Sequence, residues 1–345
     1  MTRLLQAMAG AEHGGAEAFF ERLALGLQRA GIEQKVLVRR NAKRAQRLRD
    51  GGVEVQELRF GGMLDLSTRF AFAKAVKAYQ PSVVLTWMNR ASGFCPESSP
   101  GGSFVQVGRL GGYYDLKHYR RCRHLVGNTP DICDWVKSQG WPAERVHYLP
   151  NFVTAATAPP VARASLDTPP GAPLLLALGR LHANKAFDVL LKAVAELHDA
   201  YLWIAGEGPL RAELEALAAH LGVKPRVRFL GWRDDVAALY AAADLFVCPS
   251  RHEPLGNVVI EAWAQGVPVV AAASQGPCQL IADGTDGLLV PVDDAAAMAA
   301  ALRRLFAEPG LAERIGAAGR EAYRQRFTEA AVVGKYMEFL SKVSR

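Results

Sequence analysis

No stretch of the 345-residue sequence approaches the roughly 20 consecutive apolar residues that a membrane-spanning helix needs. The first ten residues, Met1-Thr-Arg-Leu-Leu-Gln-Ala-Met-Ala-Gly10, lack the longer apolar core of a secretion signal and run into a glycine turn, so they are expected to form a first strand. Cysteine is scarce: Cys95, Cys122, Cys133, Cys248 and Cys278 are scattered with no Cys-x-x-Cys. That argues against a disulfide framework and a structural zinc site, and for a reducing, cytoplasmic setting. Neither an Asp-x-Asp nor a pair of histidines at ligand spacing is present, so no metal site is expected. A Gly-x-Ser-x-Gly elbow is missing, as is a Cys/His constellation. The absence of Gly-x-Gly-x-x-Gly after the first strand excludes a Rossmann dehydrogenase.

What is present is alternation. Half of the residues are hydrophobic and mean hydropathy is near zero, as in soluble globular chains, and the length suits two cores. In the first half, 35–38, 82–87, 103–107 and 124–127 read as strands, and 17–30 and 70–79 as amphipathic helices. The Ala-, Pro- and Thr-rich stretch 154–173, with two Pro-Pro pairs, reads as the boundary between domains. Strands at 173–178, 201–205, 226–230, 245–249 and 267–272 follow, with helices at 187–198, 209–221 and 235–242, and closing helices at 294–307, 310–326 and 328–343. Such alternation predicts an α/β chain with two parallel sheets, each covered by helices on both faces. Residues 1–155 plus 328–345 are assigned to one domain and 156–327 to the other.

Charge is uneven. Through residue 155 there are 22 Lys and Arg against 13 Asp and Glu, while the remainder holds 19 against 21. The first half is therefore the place for an anionic partner. Its densest patch contains Arg39, Arg40, Lys43, Arg44 and Arg47. Two readings stand: a solvated helix face, or a contact with an anionic membrane surface or a phosphorylated acceptor. Nucleic acid is not expected, because no aromatic residues interleave the charges.

Two carboxylates mark the second half. Glu253-Pro-Leu-Gly-Asn-Val-Val-Ile-Glu261 lies between the strand patterns 245–249 and 267–272, placing Glu253 in a loop at a strand's carboxyl end and Glu261 about two turns into a short helix. Ligands bind at such strand ends in open α/β sheets, and carboxylates accept paired hydroxyl hydrogen bonds strongly. Gly256, Asn257 and Val258 fall at the helix start, where backbone N–H groups are available to an anion. Arg180 and Lys185 follow the strand at 173–178, and two cations on such a loop suit a diphosphate.

This block resembles the signature of retaining glycosyltransferases of the GT-B fold, of the large fourth family. So do Gly179-Arg-Leu-His-Ala-Asn-Lys185, Ile204-Ala-Gly-Glu-Gly-Pro209, Phe229-Leu-Gly-Trp232, Gly14-Gly-Ala-Glu17 and Leu149-Pro-Asn-Phe-Val153, in the family's order over nearly the whole chain. The resemblance implies two facing Rossmann-like domains, with the last helix crossing back to the first. It implies that Arg180 and Lys185 hold the leaving diphosphate, Glu253 the transferred sugar and Glu261 the ribose. Gly14 and Gly15 would meet the donor, with Glu17 capping the helix start. Trp232 and Arg233 would border the base unless Trp232 is packed, and Asn89 and Arg90 would meet sugar or acceptor. The family's first-domain histidine has no counterpart in Val107-Gly-Arg109-Leu-Gly-Gly, so Arg109 is the local candidate for that role, with His118 and His13 as substitutes.

The expected activity is transfer of a sugar from a nucleotide-sugar, UDP-linked first and GDP- or ADP-linked otherwise, to a glycan or lipid-linked glycan of the cell envelope such as lipopolysaccharide. No resident cofactor or metal is expected, since Arg180 and Lys185 supply the positive charge. Work on the inner face of the cytoplasmic membrane would follow if the basic half meets lipid. Two other readings compete: an epimerase or hydrolase acting on nucleotide-sugars without an acceptor, and a binding protein without transfer activity.

Overall fold

The computed structural model describes residues 2–12, 14–62, 64–97 and 104–344. The chain divides into two compact units, Met1–Phe152 with Glu329–Arg345, and Val153–Thr328. The sequence reading placed these divisions at 155/156 and 327/328.

Unit 1 holds a seven-stranded sheet: β1 (Arg3–Met8), β2 (Glu33–Arg39), β3 (Glu54–Leu58), β4 (Val83–Trp87), β5 (Val105–Leu110), β6 (His124–Gly127) and β7 (Val146–Tyr148), in the order β3-β2-β1-β4-β5-β6-β7. Unit 2 holds six: β8 (Leu174–Leu178), β9 (Tyr201–Ala205), β10 (Val227–Gly231), β11 (Leu245–Cys248), β12 (Val269–Ala272) and β13 (Leu288–Val290), in the order β10-β9-β8-β11-β12-β13. Every pair between these strands is parallel. Central strands are near-continuous apolar runs, such as Val83-Val-Leu-Thr-Trp87 and Leu174-Leu-Leu-Ala-Leu178, because helices cover both of their faces. The strand order reverses between β1 and β4 in one sheet and between β8 and β11 in the other. Those are the switch points where crevices open at strand carboxyl ends.

The helices are α1 (Gly15–Arg29), α2 (Ala42–Asp50), α3 (Leu66–Tyr79), α4 (Met88–Phe94) and α5 (Pro130–Ser138) in unit 1. Unit 2 has α6 (Phe187–Ala195), α7 (Arg211–His220), α8 (Val236–Ala242), α9 (Asn257–Gln265), α10 (Gln275–Leu280), α11 (Ala295–Ala307) and α12 (Leu311–Arg326). The last helix, α13 (Glu329–Val343), belongs to unit 1. Its Val332, Tyr336 and Leu340 join Phe19, Leu23 and Leu27 of α1 in one buried cluster. Gly26 permits this approach: a Cβ there would lie 2.9 Å from the Val333 side chain.

Three strands escaped the sequence reading. β3 alternates Glu54, Gln56 and Leu58 at the sheet edge, and β7 and β13 are only three residues long. The expected strand 103–107 begins at Val105, with Ser103 outside the described residues, as are Met1 and His13. The 154–173 segment has no regular structure before a short turn at Arg163–Leu166. It is fastened rather than free, because the Arg163 guanidinium donates to the Ala242 carbonyl and the Asp244 carboxylate.

Candidate functional site

Two loops of unit 2 meet at the β8/β11 switch point, one running from β8 to α6 and the other from β11 to α9. Arg251 ties them together. Its guanidinium donates to both oxygens of Asp188 at 2.9 and 2.7 Å and to the Ala183 carbonyl at 2.8 Å, and it pairs with Asp293. The His252 N–H adds a bond to the Asn184 carbonyl. Burial opposes ionisation of Asp188, but the bonds and charge of Arg251 outweigh it and hold the carboxyl below the usual carboxylate range.

On this frame the Lys185 ammonium forms an ion pair with the Glu253 carboxylate. Glu253 is only 8% exposed, and its other oxygen accepts the Gly256 N–H at 3.3 Å. Gly256 adopts φ 68°, which glycine tolerates, and places α9 directly behind the carboxylate. Lys185 lies along Gly179, which has φ 152° and no side chain to obstruct it. The residue after Lys185 is Ala186, a buried alanine at φ 50°, so the backbone carrying the ammonium is held in a conformation that L side chains rarely adopt.

Beside the pair lies a cavity of about 430 Å³, whose lining includes Arg180, Glu207, Trp232, Arg233, Val258 and Glu261. Trp232 is 75% exposed, which settles its alternative: it is not packed into the core. Its indole N–H donates to Asp234. The Arg233 guanidinium is taken up by Asp235, at 2.7 and 2.5 Å. Glu261 is four residues past the first residue of α9, about one turn rather than two. Asn257 opens the same helix. Among the described residues no group of three or more His, Cys, Asp or Glu is placed to hold a metal ion.

The candidates in unit 1 do not converge in this way. Gly14 and Gly15 are exposed at the start of α1. Glu17 does not cap that helix: its buried carboxylate turns back to accept the Ala11 N–H at 2.8 Å and closes the loop after β1. Asn89 and Arg90 follow β4. The Asn89 Oδ1 is buried with no hydrogen-bond partner among the described residues, while Arg90 donates to the Phe60 carbonyl at 3.3 Å. Met88, between β4 and Asn89, has φ 62°.

Two further expectations are corrected. Arg109, read as a sugar or acceptor contact, is 1% exposed; it donates to the Tyr336 hydroxyl at 3.0 Å and to Asn151 Oδ1 at 2.5 Å and lies over the Trp87 and Phe19 rings. It fastens β5 to α13 and α1. Arg44, read as part of an exposed basic patch, is likewise 1% exposed and donates to Glu21 and to the carbonyls of Ala11 and Glu12. Arg47 also pairs with Glu21, leaving Arg39, Arg40 and Lys43 as the patch's exposed cations without an ion pair among the described residues. His118 is half-buried on the turn Leu116–Tyr119.

Sequence reasoning missed Glu207 as a cavity wall, Arg251 as the clamp, and Ser274, whose buried Oγ at the end of β12 has no hydrogen-bond partner among the described residues. A signal for Glu207 was available in its strand-end motif. Arg251 and Ser274 carried none, since an Arg or Ser in a loop is ordinary until its neighbours are known.

Comparison with known proteins shows the family. A family model described as glycosyl transferases group 1 matches residues 172–308, and one described as glycosyl transferase 4-like domain matches residues 14–95. Two relatives from Rhizobium meliloti (strain 1021) are lipopolysaccharide core biosynthesis glycosyltransferases. LpsD is 36% identical over 95% of both chains, and LpsE is 38% identical over 95% of this chain and 96% of its own. The solved structure of Anabaena HepE in complex with UDP and glucose superposes with a TM-score of 0.80, covering 99% of this chain and 100% of that one at 20% identity. The chain therefore belongs to the family of glycosyl transferases group 1 and is a glycosyltransferase, built from two Rossmann-like units of the GT-B kind.

Proposed function

We propose that this protein moves a sugar, with retention at the anomeric carbon and without a metal ion, from a nucleotide-sugar to the core of a lipopolysaccharide. The observation that carries the reading is the cavity at the carboxyl ends of β8, β9 and β10, lined by Arg180, Trp232 and Glu261 and by Gly179, against which Lys185 of the Lys185–Glu253 pair packs. The acceptor class is supported by LpsD and LpsE, whose alignments span nearly the whole chain. The donor base is supported first as uracil by HepE, which is solved with UDP and with UDP-glucose.

In this reading the exposed indole of Trp232 offers a face for the base, and Glu261 accepts the ribose hydroxyls. As the bond between sugar and diphosphate breaks, its electron pair stays on the phosphate oxygen, and Arg180 and Lys185 meet the growing charge. Lys185 need not leave Glu253 to do so, because an ammonium has three donors. Glu253, buried and paired with Lys185, is positioned for the hydroxyls of the transferred sugar. An acceptor hydroxyl attacking from the departing side would pass its proton to that phosphate oxygen, which yields retention without a second nucleophile.

Work at a membrane surface is part of the proposal, and its support moves away from the Arg39–Arg47 patch. Leu64, Leu66 and Phe70 are 93%, 62% and 75% exposed, and Arg69, Lys74 and Lys77 flank them on α3. Phe72, Ala75 and Val76 fill the core from the opposite side of that helix, so its outer apolar side chains lie exposed among the described residues. Apolar side chains among cations suit an anionic interface.

The test is thermal melting with UDP-glucose, GDP-mannose, ADP-glucose and UDP, since a ligand of the folded state raises the midpoint. A rise with one nucleotide class, weakened about tenfold in affinity by Trp232→Ala or Glu261→Gln, is expected. No rise with any of them would overturn the reading.

A further inference from the structure

Unit 1 carries a second cavity, of about 500 Å³, at the carboxyl ends of β1 and β2, lined by Gly10, Ala11, Glu12, Arg39, Arg40 and Lys43 among others. Its charges are sorted in a way that a solvated face would not require. The nearby acids on the surrounding elements are already engaged: buried Glu17 by the Ala11 N–H, Glu21 by Arg44 and Arg47, and Glu57 by Arg49 and the Asn41 N–H. Arg39, Arg40 and Lys43 are exposed at the cavity and form no ion pair among the described residues. Buried Arg44 holds its wall, binding the Ala11 and Glu12 carbonyls at 3.1 and 3.0 Å, so that these two backbone acceptors are already satisfied. Asn41 caps α2 through the Arg44 N–H, which turns the positive end of that helix toward the same cavity. Three unpaired cations face one lining carboxylate, Glu12, and that surplus of about two charges matches a phosphate dianion better than a single carboxylate.

We propose that this cavity binds a phosphate group carried by the sugar acceptor, apart from the donor's own phosphates. The proposal rests on the transferase reading only for the carrier; the cavity's preference for phosphate stands separately. A concave site at strand ends fits a group on a sugar, whereas a flat basic face would fit a bilayer.

The experiment is calorimetry on the whole protein at low salt with a hexose 6-phosphate, the unphosphorylated hexose, and phosphatidylglycerol vesicles, with UDP as control. The wild type should bind the sugar phosphate at least about tenfold more tightly than the sugar. Arg39→Gln, Arg40→Gln and Lys43→Gln combined should erase that preference, while Arg39→Lys with Arg40→Lys keeps it. UDP affinity should be equal in all three proteins. Equal affinity of the wild type for both sugars, or a preference surviving the triple substitution, overturns the proposal. If the substitutions affect only vesicle binding, the ligand is a lipid headgroup and the acceptor-phosphate proposal is equally overturned. A wild type that does not bind UDP would instead sink the uracil-donor reading, and the sugar-phosphate comparison would still judge the cavity.

Discussion

The carboxyl ends of the two sheets are built alike and filled differently. At the β8/β11 switch point, residues chosen from sequence meet: Lys185 bonds Glu253, and Arg180, Trp232 and Glu261 share one cavity. At the β1/β4 end of unit 1, two chosen arginines turn inward. Arg109 becomes a bridge between β5 and α13, and Arg44 a bridge between α2 and the loop after β1. A motif made of glycines, a carboxylate and a cation at set spacing constrains the backbone and so locates itself. A lone arginine constrains nothing, because its long arm reaches solvent or core equally well.

The comparison breaks most visibly at Arg109. Arg109→Leu leaves the Tyr336 hydroxyl and Asn151 Oδ1 without their buried donor and removes the stacking over Trp87, for a loss of about 3 kcal/mol or more in stability. Urea denaturation followed by tryptophan fluorescence reads this. Unchanged stability with lost transfer would return Arg109 to the substrate.

In unit 2 the opposite pattern is expected. Arg180→Ala should lower turnover by ~10²–10³ with the melting temperature unchanged, since its side chain is exposed at the cavity. Lys185→Met should cost both turnover and about 1–3 kcal/mol of stability, because it strands a carboxylate that is almost fully buried. Adding Glu253→Gln should restore part of that stability but not the turnover. Additive stability losses in the double variant would show that the pair is not coupled.

The smallest effect separates the units by pH. His124 and His147 contact each other and Phe339 of α13. Burial, then His124 and Lys342, hold the His147 imidazole down to about 4, and burial with Arg123, Arg145 and Lys342 lowers His124 as well. The unfolded chain takes up those protons near pH ~6.5, so below that pH the unfolded state binds more protons and unit 1 loses stability as acid is added. Asp188 in unit 2, held low, contributes stability above its unfolded value of ~3.9 and loses it only at more acid pH. Melting of unit 1 should therefore drop between pH 7 and pH 5, and His147→Gln should shrink the drop. An equal drop in the variant would place the acid sensitivity elsewhere.

Much of the fold was legible because periodicity survives translation into packing. The helix expected at 187–198 spans Phe187–Ala195, that at 310–326 spans Leu311–Arg326, and the strand at 201–205 is Tyr201–Ala205. β3, β7 and β13 were not legible, being polar at an edge or three residues long, too short to repeat a pattern. In the site, the spacing of Glu253 and Glu261 and the loop carrying Arg180 and Lys185 could be read directly. Arg251, which holds those two loops together, could not, because its partners Asp188 and Asp293 lie 63 residues before and 42 after it.

By itself the sequence determined two parallel α/β units, a carboxylate pair at one strand end and a cation pair at another, since alternation and glycine placement act through local backbone geometry. Only the tertiary structure decided which charges are available to a ligand. Arg44 and Arg109 are held by oxygens distant in sequence, and Arg39, Arg40 and Lys43 are left without ion pairs among the described residues beside a cavity. The physical reason is that a charged side chain's role depends on the partners and burial around it, and those come from parts of the chain that meet only once it has folded.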